Sequence, residues 1–330
     1  MVITLKKIAE ELNVSAMTVS RALNDKAWVE SKLKEKIQKK AAQLGYKPNH
    51  IARSLVSSKS NTIGLIIPQF EISFFPEICI GVEKPCSERN YEIYICCSYG
   101  KAKREAEEIN SLLSRKIDGL IIVPSQDEHD ISVYRELLKN KIPFVLVDRY
   151  FSHINCSYVV SDDKTGAYNA VSYLIDLGHR KIAHISGPKF ASTTQSRIAG
   201  YRNALKSKTI DSELILEGSF DEKSGYETMK KILKEKYTAV FAANDFTAFG
   251  ALQAIEEAGM KVPDDISIIG FDDSHFSKYL KVSLTTVRQN PVEIGKTAVE
   301  ILFENIQNPA KYRRAIIPTE LVIRQSCGKL

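Results

Sequence analysis

Along the first fifty residues, apolar side chains recur at helical spacing. Leu5, Ile8, Ala9 and Leu12 fall at i, i+3, i+4 and i+7, the stripe of an amphipathic helix with Thr4 as the available N-cap and Asn13 as its stop. Ser15 can cap a second helix that buries Val19, Ala22 and Leu23 and turns Ala16, Met17, Ser20 and Arg21 outward. A third helix runs from a Ser31 cap through Leu33, Ile37, Ala41 and Leu44 to a stop at Gly45. The short link between the first two predicts a helix-turn-helix, whose second helix enters the DNA major groove. Beyond Tyr46, residues 49–55 predict an Asn49-capped segment of barely two turns, which needs a partner surface to be stable.

From Asn61 onward the rhythm changes. Apolar runs of strand length (Ile63 to Ile67, Ile93 to Cys97, Leu120 to Val123, Phe144 to Val147, Ile182 to Ile185, Ala239 to Ala242, Ile266 to Phe271) are followed by helical patterns such as Ala106 to Leu113, Thr165 to Leu177, Ile198 to Leu205 and Phe246 to Ala258. Alternation of this kind predicts an α/β body of two doubly wound parallel-sheet subdomains.

Location turns an ordinary charge balance into a signal. Residues 1–60 carry 12 Lys and Arg against 5 Asp and Glu, while the remaining 270 carry 34 against 35. A basic module on a neutral body suits a protein that binds nucleic acid, because phosphate neutralisation supplies most sequence-independent affinity. Lys32, Lys34, Lys36, Lys39 and Lys40 need be no more than a solvated helix face. No apolar run approaches membrane-spanning length and the N-terminus lacks the pattern of a signal peptide, so a soluble cytoplasmic protein is expected. The six cysteines show no Cys-x-x-Cys pair, and neither a metal nor another cofactor is expected.

The run Leu-Lys-Lys-Ile-Ala, Val-Ser-Ala-Met-Thr-Val-Ser-Arg-Ala-Leu-Asn and Leu-Gly-Tyr-Lys-Pro-Asn-His-Ile-Ala-Arg-Ser-Leu resembles the lactose/galactose repressor (LacI/GalR) family. By that resemblance Ala16, Met17 and Arg21 read bases, Ser15, Thr18, Ser20 and Asn24 serve phosphates, and Trp28 and Tyr46 contact the DNA backbone. Asn49, Ala52 and Leu55 belong to a hinge helix, with Leu55 as a wedge in the minor groove. Core packing is the rival explanation for Trp28 and Tyr46, and plain helix surface for Thr18 and Ser20. Arg21 suits the paired acceptors of guanine, whereas Ala16 and Met17 can read only by contact or shape. The resemblance implies a periplasmic-binding-protein-like body with crossovers near Asp162, Val287 and Ile317. The expected domains are 1–48 for DNA binding, 49–60 for the hinge and 61–330 for ligand and dimerisation. Within the last, one subdomain takes about 61–161 plus 288–317 and the other about 162–287 plus 318–330. A homodimer on a pseudopalindromic operator follows from the same resemblance.

Open parallel sheets bind ligands at the carboxyl ends of their strands. Asp148, Asn244 and Asp272 fall at such ends, and with Arg197 they could grip a polyhydroxylated ligand. The resemblance adds Gln289, and Phe74, Phe75 and Phe220 offer an apolar wall. Asp245 and Asp273 are assigned to structure, Asp245 as an N-cap, and His179 and His184 to finishing a helix. A sugar or sugar derivative is the expected effector of a repressor; Phe74-Phe75 keeps a nucleobase or nucleoside as the alternative. An α/β enzyme finds no Gly-x-Ser-x-Gly or Gly-x-Gly-x-x-Gly motif in its support. A sugar-binding transport protein would leave the basic module unexplained.

Overall fold

The computed structural model describes residues 3–23, 29–46, 59–125 and 131–330, and the chain divides into two compact units, 1–60 and 61–330. In the first unit, α1 (Leu5–Leu12), α2 (Ala16–Leu23) and α3 (Ser31–Gln43) enclose Ile8, Ala9, Val19, Ala22, Ile37 and Ala41. The Thr4 side chain accepts from the Lys7 amide, and Asn13 stops α1 in the left-handed region at φ 52°. Ser15 caps α2, its Oγ accepting from the Thr18 amide at 3.0 Å. The third start differs from expectation: Ser31 is already helical, and Glu30 holds the N-cap position without a side-chain cap. Gly45 (φ 66°) closes α3, with the Tyr46 amide reaching back to the Ala41 carbonyl, as in a Schellman stop.

The second unit holds two six-stranded sheets. One has the order β11-β5-β4-β3-β1-β2, built from β1 (Thr62–Ile67), β2 (Glu92–Cys97), β3 (Gly119–Ile122), β4 (Phe144–Val147), β5 (Ser157–Ser161) and β11 (Arg314–Ile317). The other has the order β12-β10-β9-β8-β6-β7, from β6 (Ile182–Ser186), β7 (Glu213–Glu217), β8 (Ala239–Ala242), β9 (Ser267–Asp272), β10 (Thr285–Arg288) and β12 (Glu320–Val322). Pairing is parallel except for β12 on β10. The chain passes between sheets after β5, after β10 and after β11.

Burial follows the pleat. Leu65 and Ile67 of β1 face one core with α4 (Phe74–Ser87) and α11 (Pro291–Gln307), while Ile66 faces the opposite core with α5 (Ala102–Ser114) and α6 (Ser132–Lys139). The second sheet is covered likewise by α7 (Asp163–Asp176) and α8 (Ser192–Ser207) on one face and α9 (Glu222–Ile232) and α10 (Asp245–Glu257) on the other. His179 does follow the end of α7, bonded to Thr238, Ser267 and the Gly328 carbonyl. His184, assigned above to a helix end, instead lies inside β6 and stacks on Phe241 at 4.7 Å. Among the described residues no helix is long and apolar enough to cross a membrane.

Candidate functional site

On α2, Met17 is 64% exposed and Arg21, one turn later, is also exposed, so a thioether and a guanidinium project from the same face. Ser20 is half-buried beside them. Ala16 does not point outward as expected; it is half-buried and packs on the three-helix core. Tyr46 packs there too, and burial pushes its phenol pKa up. The Ser15 and Thr18 hydroxyls lie 2.9 Å apart within the cap of α2. Lys40 is tied to Glu11 at 2.5 Å. Asn24, Trp28, Asn49, Ala52 and Leu55 lie outside the described residues.

In the second unit, strand ends of both sheets meet around a cavity of about 360 Å³. Phe74, Phe75, Asp148, Arg197, Phe220, Asn244, Asp272 and Gln289 all line it. Asp148 follows β4 at φ 66°, Asp272 ends β9 at φ 114°, and Asp273 follows at φ 57°, conformations that cost energy for a non-glycine residue and gather at ligand sites. Arg288 at 2.7 Å and Arg324 at 2.6 Å hold Asp273 in place.

Arg197, on α8, is 3% exposed. Its Nε donates to Asp163 Oδ1 at 2.8 Å, Nη2 lies 2.8 Å from the same oxygen as an ion pair, Nη1 donates to the Ala243 carbonyl at 2.6 Å, and its guanidinium carbon lies 3.8 Å from the Phe271 ring centre. Burial opposes its charge, but Asp163, Asp272 and Asp148 outweigh that, so its pKa is raised. Removal from water raises the Asp148 carboxyl from its ordinary value and that of Asp272 well above it, although Arg197 pulls both down. Gln289 Nε2 donates to Asp272 at 2.7 Å; its buried Oε1 has no hydrogen-bond partner among the described residues.

The N-cap of α10 is Asn244, not Asp245: Asn244 Oδ1 accepts from the Thr247 amide and hydroxyl, and Nδ2 donates to the Phe220 carbonyl at 3.1 Å. Asp245 is structural by another route, its carboxylate accepting from the Ser274 amide and the Ser277 and Thr286 hydroxyls. Phe74 and Phe75 meet edge to face at 5.5 Å, each only 5% exposed. The accessible rings at the cavity are Tyr99 and Phe190, at 66% and 41%. Those two, with Arg149 and Thr193, also line it and were not anticipated. Nor was Asp163, the anchor of Arg197: Asp162-Asp163 stands at a strand end, but β5 was not recognised, so that signal went unread. Among the described residues no group of three His, Cys, Asp or Glu side chains could hold a metal.

Residues 4–49 match the family model described as bacterial regulatory proteins, lacI family, and residues 171–327 match a periplasmic binding protein-like domain. The chain is 35% identical over 332 residues to the ribose operon repressor of Haemophilus influenzae, covering 99% of each. It is 33% identical over 334 residues to the transcriptional repressor PurR of Mannheimia succiniciproducens, again covering 99% of each. The structure of the Lac repressor dimer bound to operator and the anti-inducer ONPF superposes with a TM-score of 0.90 at 28% identity, covering 99% of this chain and 100% of that one. A regulator of the same family from Enterococcus faecium with bound ribose superposes with a TM-score of 0.73 at 32% identity, over 82% of this chain and 99% of that one. Helix-turn-helix, two-sheet body and full-length similarity agree: this chain belongs to the LacI family of bacterial regulatory proteins.

Proposed function

We propose that the protein is a transcriptional repressor whose affinity for a pseudopalindromic operator is set by a sugar bound in the interdomain cleft. The convergence of Asp148, Arg197, Asp272 and Gln289 on one cavity carries this reading. A carboxylate accepts from sugar hydroxyls, and Gln289 Oε1, buried without a partner among the described residues, is matched by a hydroxyl donor. The ribose-bound neighbour and the ribose operon repressor support a monosaccharide. The Phe74-Phe75 pair supports a nucleobase instead. With 5% of either ring exposed, that pair offers a flat base little surface to stack on, leaving Tyr99 and Phe190 as the rings a base would meet; the unmatched Gln289 Oε1 and the carboxylates favour the sugar.

DNA binding falls to α2, with Arg21 aimed at guanine and Met17 reading by contact. Two copies are needed to span a pseudopalindrome. The body has exposed apolar side chains suited to pairing, Tyr94 and Ile95 on edge strand β2 and Phe276 and Tyr279 after β9. Residues 1–48, 49–60 and 61–330 are assigned to DNA binding, hinge and ligand-controlled dimer. No enzymatic role is proposed.

Two measurements test this. Selection from a random duplex pool is expected to return a pseudopalindrome that Arg21→Ala no longer distinguishes from other DNA. Thermal unfolding against ribose, cellobiose and purine bases is expected to show a rise with a sugar, lost in Asp272→Asn and Gln289→Leu. A rise with a purine base alone would replace the sugar reading; an undirected DNA pool would remove the repressor reading.

A further inference from the structure

Charge in the cleft is lopsided. Asp148, Asp221 and Asp272 line the cavity, and Asp163 stands behind it on Arg197, against the two guanidinium groups of Arg149 and Arg197. Both guanidinium groups already face carboxylates. Arg197 is spent on Asp163 and the Ala243 carbonyl, while Arg149 pairs with Asp148 at 3.2 Å and donates to the Pro124 carbonyl, its buried Nε having no hydrogen-bond partner among the described residues. The hydrogen bond of Asp272 comes from the neutral Gln289. An adjoining cavity of about 200 Å³ shares Asp148 and Thr193 and brings in Asp162 and Asp163, with Lys164 as the cation among its described lining residues. Ser161 Oγ, on a residue 5% exposed in that second lining, has no hydrogen-bond partner among the described residues.

Helix dipoles work in the other direction but are smaller. The first turns of α4 and α8 have no side-chain caps, and each N-terminus is equivalent to about half a positive charge. The starts of α9 and α10 are already capped by Asp221 and Asn244. Two half-charges do not cancel an excess of two carboxylates. Burial raises Asp148 and Asp272, and Asp163 to about 6, even though Arg197 lowers each of them. With more carboxylates than guanidinium groups at its walls, and only two half-charges of helix dipole set against the excess, the cleft disfavours a phosphate dianion.

We infer that the cleft takes an uncharged, unphosphorylated polyhydroxylated effector and rejects the phosphate ester of the same compound. Hydroxyl donors meet Asp148, Asp272 and Gln289 Oε1, and hydroxyl oxygens accept from the uncapped amides of α4 and α8. The inference rests on the cleft being the effector site.

The test is isothermal titration of the full chain with matched pairs at constant ionic strength: ribose and ribose 5-phosphate, glucose and glucose 6-phosphate, inosine and its 5′-monophosphate. The neutral member of the binding pair is expected to bind at least about 100-fold more tightly than its ester. Asp272→Asn is expected to narrow that gap by about tenfold while weakening the neutral ligand. An ester that binds as well as its parent, with the preference unmoved by Asp272→Asn, overturns the inference while leaving the cleft as the site. A neutral ligand whose affinity neither Asp272→Asn nor Gln289→Leu changes, or silence from all six compounds, withdraws the cleft itself and the inference with it.

Discussion

Glu105 has no exposed surface, and its two oxygens accept from the Tyr134 hydroxyl at 2.6 Å and the Ser125 amide at 2.5 Å. Removal from water holds its carboxyl up at about 7 although both hydrogen bonds pull it down. The native chain therefore holds this proton more tightly than the unfolded chain. The resulting stability is fully present below the ordinary glutamate range near 4.5 and is lost as pH rises through about 7. Glutamine keeps the shape without the charge. Relative to Glu105→Gln, the wild type is expected to lose up to about 3 kcal/mol between pH 4 and pH 8, read as the pH dependence of the difference in urea midpoint. A difference that does not change with pH would show that Glu105 is ionised at little cost. Arg197→Ala is expected to destabilise by about 3–5 kcal/mol in the same assay, since it leaves Asp163 buried without its cation. That is why Asp272→Asn and Gln289→Leu are the cleaner probes of ligand binding.

Elements pack through glycine where backbones touch. A Cβ on Gly250 of α10 would run into the Glu222 carbonyl oxygen at the start of α9, and one on Gly225 of α9 into that of Thr247 on α10. Since the start of α10 carries Asn244 and that of α9 follows Phe220, this contact sets one wall of the cleft. Gly250→Ala is expected to cost about 2–3 kcal/mol and to weaken the ligand as well, measured by thermal unfolding with and without ligand. An unchanged melting temperature would mean that the helices separate freely. Some local caps were legible, Thr4 and Ser15 sitting within three residues of the amides they bond, but Asn244, just as close to the Thr247 amide, was passed over for its neighbour Asp245. Ser31 shows the limit of that rule, because a residue of the right type one position inside the helix carries the same sequence signal.

For the whole molecule, the basic excess on residues 1–60 and the nearly neutral remainder predict two responses to salt. Operator affinity is expected to fall by about a thousandfold between 50 and 200 mM salt, through release of counterions from phosphate. Affinity for a neutral effector, built from dipoles and hydrogen bonds, is expected to change less than about twofold over the same range. Fluorescence anisotropy with operator and titration with effector read the two separately. Parallel salt dependence of both would place charged recognition in the cleft as well.

What the amino-acid order determined by itself is whatever depends on neighbours in the chain: the helical stripes at Leu5 to Leu12 and in α2, the continuous apolar runs of β1, β3, β4, β8 and β9, and the segregation of charge. Buried central strands advertise themselves because both faces need apolar side chains. Strands β2 and β7 at the sheet edges, β5 with its serines, and short β10, β11 and β12 carry weaker patterns, and of these only β2 was read as a strand. Of the eight cleft candidates, Asp148, Asn244 and Asp272 were legible because strand ends are local, whereas Arg197 was read from a helix start, Gln289 from the family resemblance and the three phenylalanines as an apolar wall. Their relations were not. That Arg197 is anchored by Asp163, that Asp245 clamps the loop carrying Ser274, and that Gln289 leaves one oxygen unmatched among the described residues follow from pairings between distant segments. Only the folded sheets and their covering helices bring those residues within hydrogen-bonding distance.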